Sequence, residues 1–231
     1  EKGYISPEEF RQFSNETVPL ARFKKMIFSN NEPVKASLEV AHYGQHKLEG
    51  IIPTWKISDA DGQVIDKGEF GKMDIQWGHN QQIGAIFAPM KVESASKFQL
   101  SLTIADFTNS WDFWIYPAEL PEVNEDILVV STLNGKVISR LKQGGKVLLT
   151  VKKGSIKEGQ GGEVAVGFSS IFWNTAWTNG QKPHTLGILC DPKHPALADF
   201  PTEYHSNWQW WDAMSHSNAI SLEGFSNTPE P

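Results

Sequence analysis

An antiparallel β-sandwich followed by a small α/β layer is the architecture this sequence predicts, and three observations carry it. Val34, Ala36, Leu38 and Val40 alternate with Lys35, Ser37 and Glu39, which is the period of a half-buried strand. Six or seven such runs, separated by turn residues, fill the first half of the chain, as in domains of immunoglobulin or fibronectin type III character. Beyond a Pro-punctuated join at 117–122 the pattern changes to apolar runs flanking a helical repeat, the signature of strand–helix–strand units with a parallel sheet.

Taken in order, residues 1–30 read as a lead-in segment. Ser6 caps a short helix with Pro7 in its first turn and Glu8 and Glu9 at its positive end, and the helix is expected to end before Pro19. The sandwich is placed over 31–118. After the strand at 34–40 comes a second over 50–58, where Pro53 argues for an edge or a bulge. Asp59-Ala60-Asp61-Gly62 is a turn with side-chain acceptors and a glycine for positive φ. Strands follow at 64–70, 82–88 and 97–105, the last with Phe98, Leu100, Leu102 and Ile104 on one face. Trp111-Asp112-Phe113-Trp114-Ile115-Tyr116-Pro117 closes the series, because Pro117 cannot donate to a sheet ladder.

The α/β layer is placed over 119–231. Residues 126–131 and 146–151 are compact apolar runs, as in parallel strands buried on both faces. Between them, Val137, Ile138 and Leu141 repeat at helical spacing and Gly144-Gly145 stops the helix. A third strand is expected at 185–190, a helix from about Thr202 or Asn207 to Ser215, and a further strand from Ala219. Three or four strands are few for an open α/β sheet, so the domain reads as small and incomplete.

Composition narrows the function. With 231 residues, 39% hydrophobic and 21% charged, the chain has the make-up of a soluble globular protein of one large or two ordinary domains. The net charge is −6 and neither half carries a basic excess, which argues against nucleic acid as a partner. No apolar run approaches the roughly 18–20 residues of a membrane span. The polar start, Glu1-Lys2-Gly3-Tyr4, lacks the pattern of a signal peptide, so a mature form, an internal fragment or a cytosolic protein is expected. A single cysteine excludes an internal disulfide and a cysteine-based zinc cluster, and no cofactor is expected.

Residues 168–212 hold five of the nine tryptophans, three of the seven histidines and the only cysteine. Trp173, Trp177, Trp208, Trp210 and Trp211 are the candidate carbohydrate-binding residues, since a flat indole suits the apolar side of a pyranose. The alternative is packing, which is the commoner use of so large a ring. On a helix Trp208 and Trp211 share one side while Trp210 aligns with Met214, so aromatic groups on two faces point to a helix sandwiched at a core or an interface. Cys190, near His184, His194 and His205, admits a thiol-enzyme reading. It lacks a glycine-flanked turn, and Pro192 removes an amide hydrogen an oxyanion hole would use, which favours a small buried core cysteine. The ten- and eleven-residue spacings of the three histidines match no compact zinc pattern. Asn15-Glu16, Asn31-Glu32 and Asn124-Glu125 follow no barrel-type strand, so no catalytic carboxylate pair is assigned.

Several segments together resemble one family. Tyr4-Ile5-Ser6-Pro7-Glu8-Glu9-Phe10 with Asn15-Glu16-Thr17-Val18-Pro19-Leu20-Ala21-Arg22, the 111–117 run, Phe172-Trp173-Asn174-Thr175-Ala176-Trp177, and above all residues 183–195 and 201–211 look like the region after the catalytic barrel in bacterial family 2 glycoside hydrolases. The match is to β-galactosidase-like, sugar-binding-domain enzymes of Bacteroides-like, polysaccharide-degrading bacteria. The resemblance implies an immunoglobulin-like domain followed by a flavodoxin- or class I glutamine amidotransferase-like α/β domain, regarded as accessory. The amidotransferase nucleophile pattern is not kept around Cys190, and the barrel glutamates have no counterpart, so no catalytic residue is carried over. It also implies an upstream catalytic barrel as partner, a glycan as a second partner, and a periplasmic or secreted location.

Overall fold

The structure is a computed structural model that describes residues 5–119, 122, 125–152, 154–155 and 188–216. The first segment opens with α1 (Pro7–Phe13), whose start follows the local chemistry read from the sequence. Ser6 Oγ accepts from the Glu9 amide at 3.2 Å, and the Glu9 carboxylate accepts from the Ser6 amide at 2.8 Å, a reciprocal cap.

Ten strands follow: β1 (Thr17–Phe23), β2 (Ile27–Ser29), β3 (Pro33–His42), β4 (Leu48–Ile51), β5 (Thr54–Asp59), β6 (Val64–Glu69), β7 (Met73–Ile75), β8 (Gly78–Pro89), β9 (Ser96–Ile104) and β10 (Phe107–Tyr116). One sheet has the order β1-β3-β8 and a second the order β2-β10-β9-β5-β6, while β4 and β7 pair by themselves. All pairings are antiparallel except β2 on β10. Side chains from the two large sheets make one core: Val34, Leu38, Val40 and Ile86 from the first meet Ile57, Leu100, Leu102, Ile104 and Phe113 from the second. The Phe113 ring stacks on Phe98 at 5.8 Å and takes the edge of Phe28 at 6.0 Å. Fully burying each such side chain is worth about 1.5–3 kcal/mol, which makes this layer the dominant stabilising term.

The first segment differs from its reading as a lead-in. Residues 17–29 supply β1 to one sheet and β2 to the other. Pro19 hid β1, yet β1 is an edge strand, where a missing amide hydrogen is tolerated. The single strand read over 50–58 is two strands in different sheets, β4 and β5, because Pro53 interrupts the ladder between them. The turn at 59–62 is as its residues demand: Asp59 Oδ1 accepts from the amides of Asp61 and Gln63, and Gly62 has φ +83°.

The chain divides into two compact units, one running to Glu119 and taking in Lys193–Pro201, the other holding the rest. In the first, the returning segment lays Phe200 against Tyr116, ring centres 6.3 Å apart. In the second, β11 (Ile127–Val130), α2 (Gly135–Lys142) and β12 (Lys146–Leu149) form a strand–helix–strand unit with the strands parallel. Asn134 Oδ1 caps α2 by accepting from the amides of Lys136 and Val137. Gly144, at φ +76°, ends it, and the Gly145 amide reaches back to the Arg140 carbonyl.

The two strands are not buried on both faces as their composition predicts. Val129, Leu148 and Leu149 are exposed; among the described residues, one helix beside a two-stranded ladder does not enclose it. Residues 185–187 of the expected third strand lie outside the described residues. Its end, at Leu189, bridges His205 in antiparallel sense. The expected helix near 207–215 is a 3₁₀ turn, Trp208–Trp210, continued by α3 (Trp211–Ser215). The strand expected from Ala219 lies outside the described residues.

Tyr116 ends β10 with its hydroxyl buried and, among the described residues, without a hydrogen-bond partner. Burial pushes its phenol up to about 12 from 10.0. Below pH 10 this costs nothing. As pH rises from 10 toward 12 the unfolded chain gives up the proton while the folded chain keeps it, so stability falls. Thermal melts across this range should fall more steeply for the native chain than for Tyr116→Phe, with similar melting points at neutral pH. Parallel curves would show that the phenol is not held by burial.

Candidate functional site: the aromatic surfaces

The sequence candidates separate in space. Trp173, Trp177 and His184 lie outside the described residues. Trp208 and Trp211 stand one turn apart with ring centres 6.0 Å apart, 47% and 46% exposed. Trp210 turns the other way. It is half-buried, donates from Nε1 to Thr202 Oγ1 at 2.8 Å, and lies in the run whose Gln209 and Met214 are buried. The helical reading thus resolves into a buried side and an indole pair that meets solvent.

Cys190 is 8% exposed and its Sγ lies 3.8 Å from the Ile188 carbonyl. His194 accepts from the Ala196 amide at 3.1 Å and so caps the short 3₁₀ turn Pro195–Leu197. His205 takes part in the bridge to Leu189. Among the described residues, no three His, Cys, Asp or Glu side chains are grouped to hold a metal ion, and no helix is long and apolar enough to cross a membrane.

A second aromatic surface, unmarked in the sequence reading, lies on the sandwich. Where β3 leaves its sheet, buried His42 ties two segments together. Its Nε2 donates to the His46 carbonyl at 2.8 Å, and its Nδ1 accepts from the Thr17 hydroxyl at 2.7 Å. The loop so held carries Tyr43, 63% exposed, and Gly44, whose carbonyl accepts from Trp77 Nε1 at 2.8 Å. Trp77 is 52% exposed, and the Tyr43 hydroxyl meets His79 Nδ1 at 3.1 Å. Gln81 braces the same turn by bonding both the amide and the carbonyl of Gln76.

From there the outward face of the β1-β3-β8 sheet carries a continuous polar row. Arg22 Nη2 reaches Asn80 Oδ1 at 3.4 Å and Arg22 Nε reaches Glu39 Oε2 at 3.0 Å. Gln82 Nε2 donates to Glu39 Oε1 at 2.8 Å, and Ser37 Oγ donates to Gln82 Oε1 at 3.2 Å. The bond from Gln82, aided by Arg22, holds the Glu39 carboxyl below the usual range. The row ends at Phe87, 66% exposed, with Lys35 Nζ 5.0 Å from its ring centre. At this end a groove of about 640 Å³ is lined by Arg22, Lys24, Lys25, Lys35, Phe28 and Phe87 among others. Lys25 pairs with Glu32 at 2.5 Å, and that bond, with the Ser29 amide, lowers the Glu32 carboxyl.

The signal for this surface was present in Gln76-Trp77-Gly78-His79-Asn80-Gln81-Gln82, an amide- and imidazole-rich run beside an aromatic residue. The polar half of the β3 alternation read only as a solvent face.

The comparisons with known proteins are these. Residues 128–231 match a family model described as a domain of unknown function (DUF8487), and residues 32–117 match a second domain of unknown function (DUF8488). No curated protein matches the chain. Solved structures similar to part of it include the C-terminal domain of wzt, 10% identical over 50% of this chain and 81% of that one, TM-score 0.34. Another is Parabacteroides merdae β-glucuronidase, 12% identical over 44% of this chain and 14% of that one, TM-score 0.29. A third is a β-glucuronidase from glycoside hydrolase family 2, 11% identical over 44% and 11% of the two chains, TM-score 0.27. The similarity to these hydrolases is distant, and this chain spans less than a fifth of either.

Burial makes a direct statement about the thiol. Cys190 should react slowly with a disulfide reagent in the folded protein and at once after unfolding. Rapid stoichiometric labelling of the native chain would return Cys190 to the list of working nucleophiles.

Proposed function

We propose that this chain is a non-catalytic accessory region of a family 2-type glycoside hydrolase, in which an immunoglobulin-like sandwich and a flavodoxin- or amidotransferase-like α/β domain support a catalytic barrel by packing, oligomerisation or lining its cleft during polysaccharide breakdown. The barrel belongs upstream in the same polypeptide or on a partner subunit, and the proposed location is periplasmic or secreted. The observation that carries this reading is the fate of a resemblance-bearing segment. Residues 111–116 form the second half of β10, and Phe113, Trp114 and Ile115 there are all buried, so the segment's aromatic groups serve packing. The strand and turn acids act alike: Glu32, Glu39, Asp59, Asp74 and Asp112 each hold a backbone amide or a neighbouring side chain.

A second reading, a carbohydrate-binding module, is favoured by one observation, the half-exposed Trp208 and Trp211 pair. The two readings are tested together on the isolated chain. It should not turn over aryl β-galactosides, and any calorimetric binding of neutral galactan oligosaccharides should vanish in Trp208→Ala/Trp211→Ala. Turnover abolished by a single carboxylate substitution would overturn the accessory reading. Binding that survives loss of both indoles would remove the pair from consideration.

A further inference from the structure

We infer that the outward face of the β1-β3-β8 sheet is a binding strip for an extended acidic oligosaccharide. The inference deepens the accessory-region reading, on which the choice of a glycan over other anionic chains rests. The site itself stands on geometry.

The alternation that turns Val34, Leu38 and Val40 into the core turns Lys35, Ser37 and Glu39 outward, and the register sets Lys35 beside Phe87, and Glu39 beside Gln82. Phe87 closes one end of the strip, and the Tyr43–His79 pair with Trp77 nearby closes the other. From His79 to Phe87 the strand covers roughly 26 Å at about 3.3 Å per residue, room for several sugar rings in line. Aromatic faces offer stacking surfaces to the apolar sides of the rings. The row between them supplies amide, hydroxyl and guanidinium groups held in place around the nearly buried Glu39 carboxylate, so little side-chain entropy is lost when hydroxyls bind.

Charge selects the class of glycan. In a chain of net charge −6, the Phe87 end gathers Arg22, Lys24, Lys25 and Lys35. Glu39 and Glu32 answer Arg22 and Lys25. Lys24 and Lys35 make no direct ion pair among the described residues, although the Lys35 charge also helps hold the Glu32 carboxyl down. The balance of the four cations against the two carboxylates is positive. Two positive charges therefore remain beside an exposed phenyl ring, complementary to carboxylates on a uronic-acid chain. Steering by such charges is screened by salt, which gives a readout that a purely structural role would not move.

The experiment is calorimetric titration of the full chain, carrying Trp208→Ala/Trp211→Ala so that no binding is credited to that pair. The probes are oligogalacturonate from polygalacturonic acid and, for comparison, neutral galactan oligosaccharides. Oligogalacturonate is expected to bind, more weakly at high salt, and about tenfold more weakly after Phe87→Ala or Lys35→Ala. Gln99→Ala, on the outer face of the other sheet, should leave the affinity unchanged, and unaltered melting points would certify each fold. Absence of binding at millimolar oligogalacturonate, indifference to Phe87→Ala and Lys35→Ala, or equal affinity for the neutral probe would each overturn the inference. None of these results would touch the accessory reading, which falls only on turnover.

Discussion

The layer of side chains sealed between the two large sheets constrains nearly everything else in the sandwich. Leu38, Val40, Leu100, Leu102 and Phe113 are almost wholly removed from water, and a strand has only two sides. Once these residues point inward, the register of every pairing is set, because a slip by one residue would exchange the core for the surface. The outward residues are then brought into rows by a constraint that has nothing to do with ligands. On the β9–β10 side the rows are structural pairs: Ser101 with Ser110, Thr103 with Thr108, and Lys97 and Gln99 with Asp112. On the β1-β3-β8 side the same mechanism produces a chain of groups between two aromatic ends.

Aromatic mass is used in two ways. Phe28, Phe98 and Phe113 pack edge and face in the core, and Trp114 is buried on the opposite side of β10. Tyr43, Trp77 and Phe87, by contrast, meet solvent on elements whose positions are set by buried neighbours. Trp77 is held by a backbone carbonyl and by the braces around Gln81, Tyr43 by the loop that His42 anchors, and Phe87 by its pairing with Lys35 in the β3–β8 ladder. Exposed rings on rigid supports lose little freedom on binding, which is why this surface outranks an equal number of rings on a loose loop.

Much of the sandwich was legible because its signals are local. The Ser6 cap, the Asp59 turn, the alternations in β3 and β9 and the Asn134 to Gly144 bounds of α2 each depend on a few adjacent residues, and each stands where its chemistry requires. Proline misled twice for one reason. Its missing amide hydrogen is a local fact, but whether that hydrogen would have been needed depends on which strand lies alongside. Pro19 is tolerated at the edge in β1, and Pro53 separates two strands that join different sheets.

By itself, the sequence determined the period of each strand, the caps and turns, the sparing use of cysteine and the acidic balance, all properties of residues and their near neighbours. Tertiary structure decided the sheet order, the inclusion of residues 17–29 in the sandwich, the split of Trp208 and Trp211 from Trp210, and the gathering of Arg22, Glu39, Gln82 and Phe87 on one face. Those outcomes join residues up to 87 positions apart, as Ile27 with Trp114, and only pairing between strands distant in the chain, driven by burial of their other faces, brings such residues together.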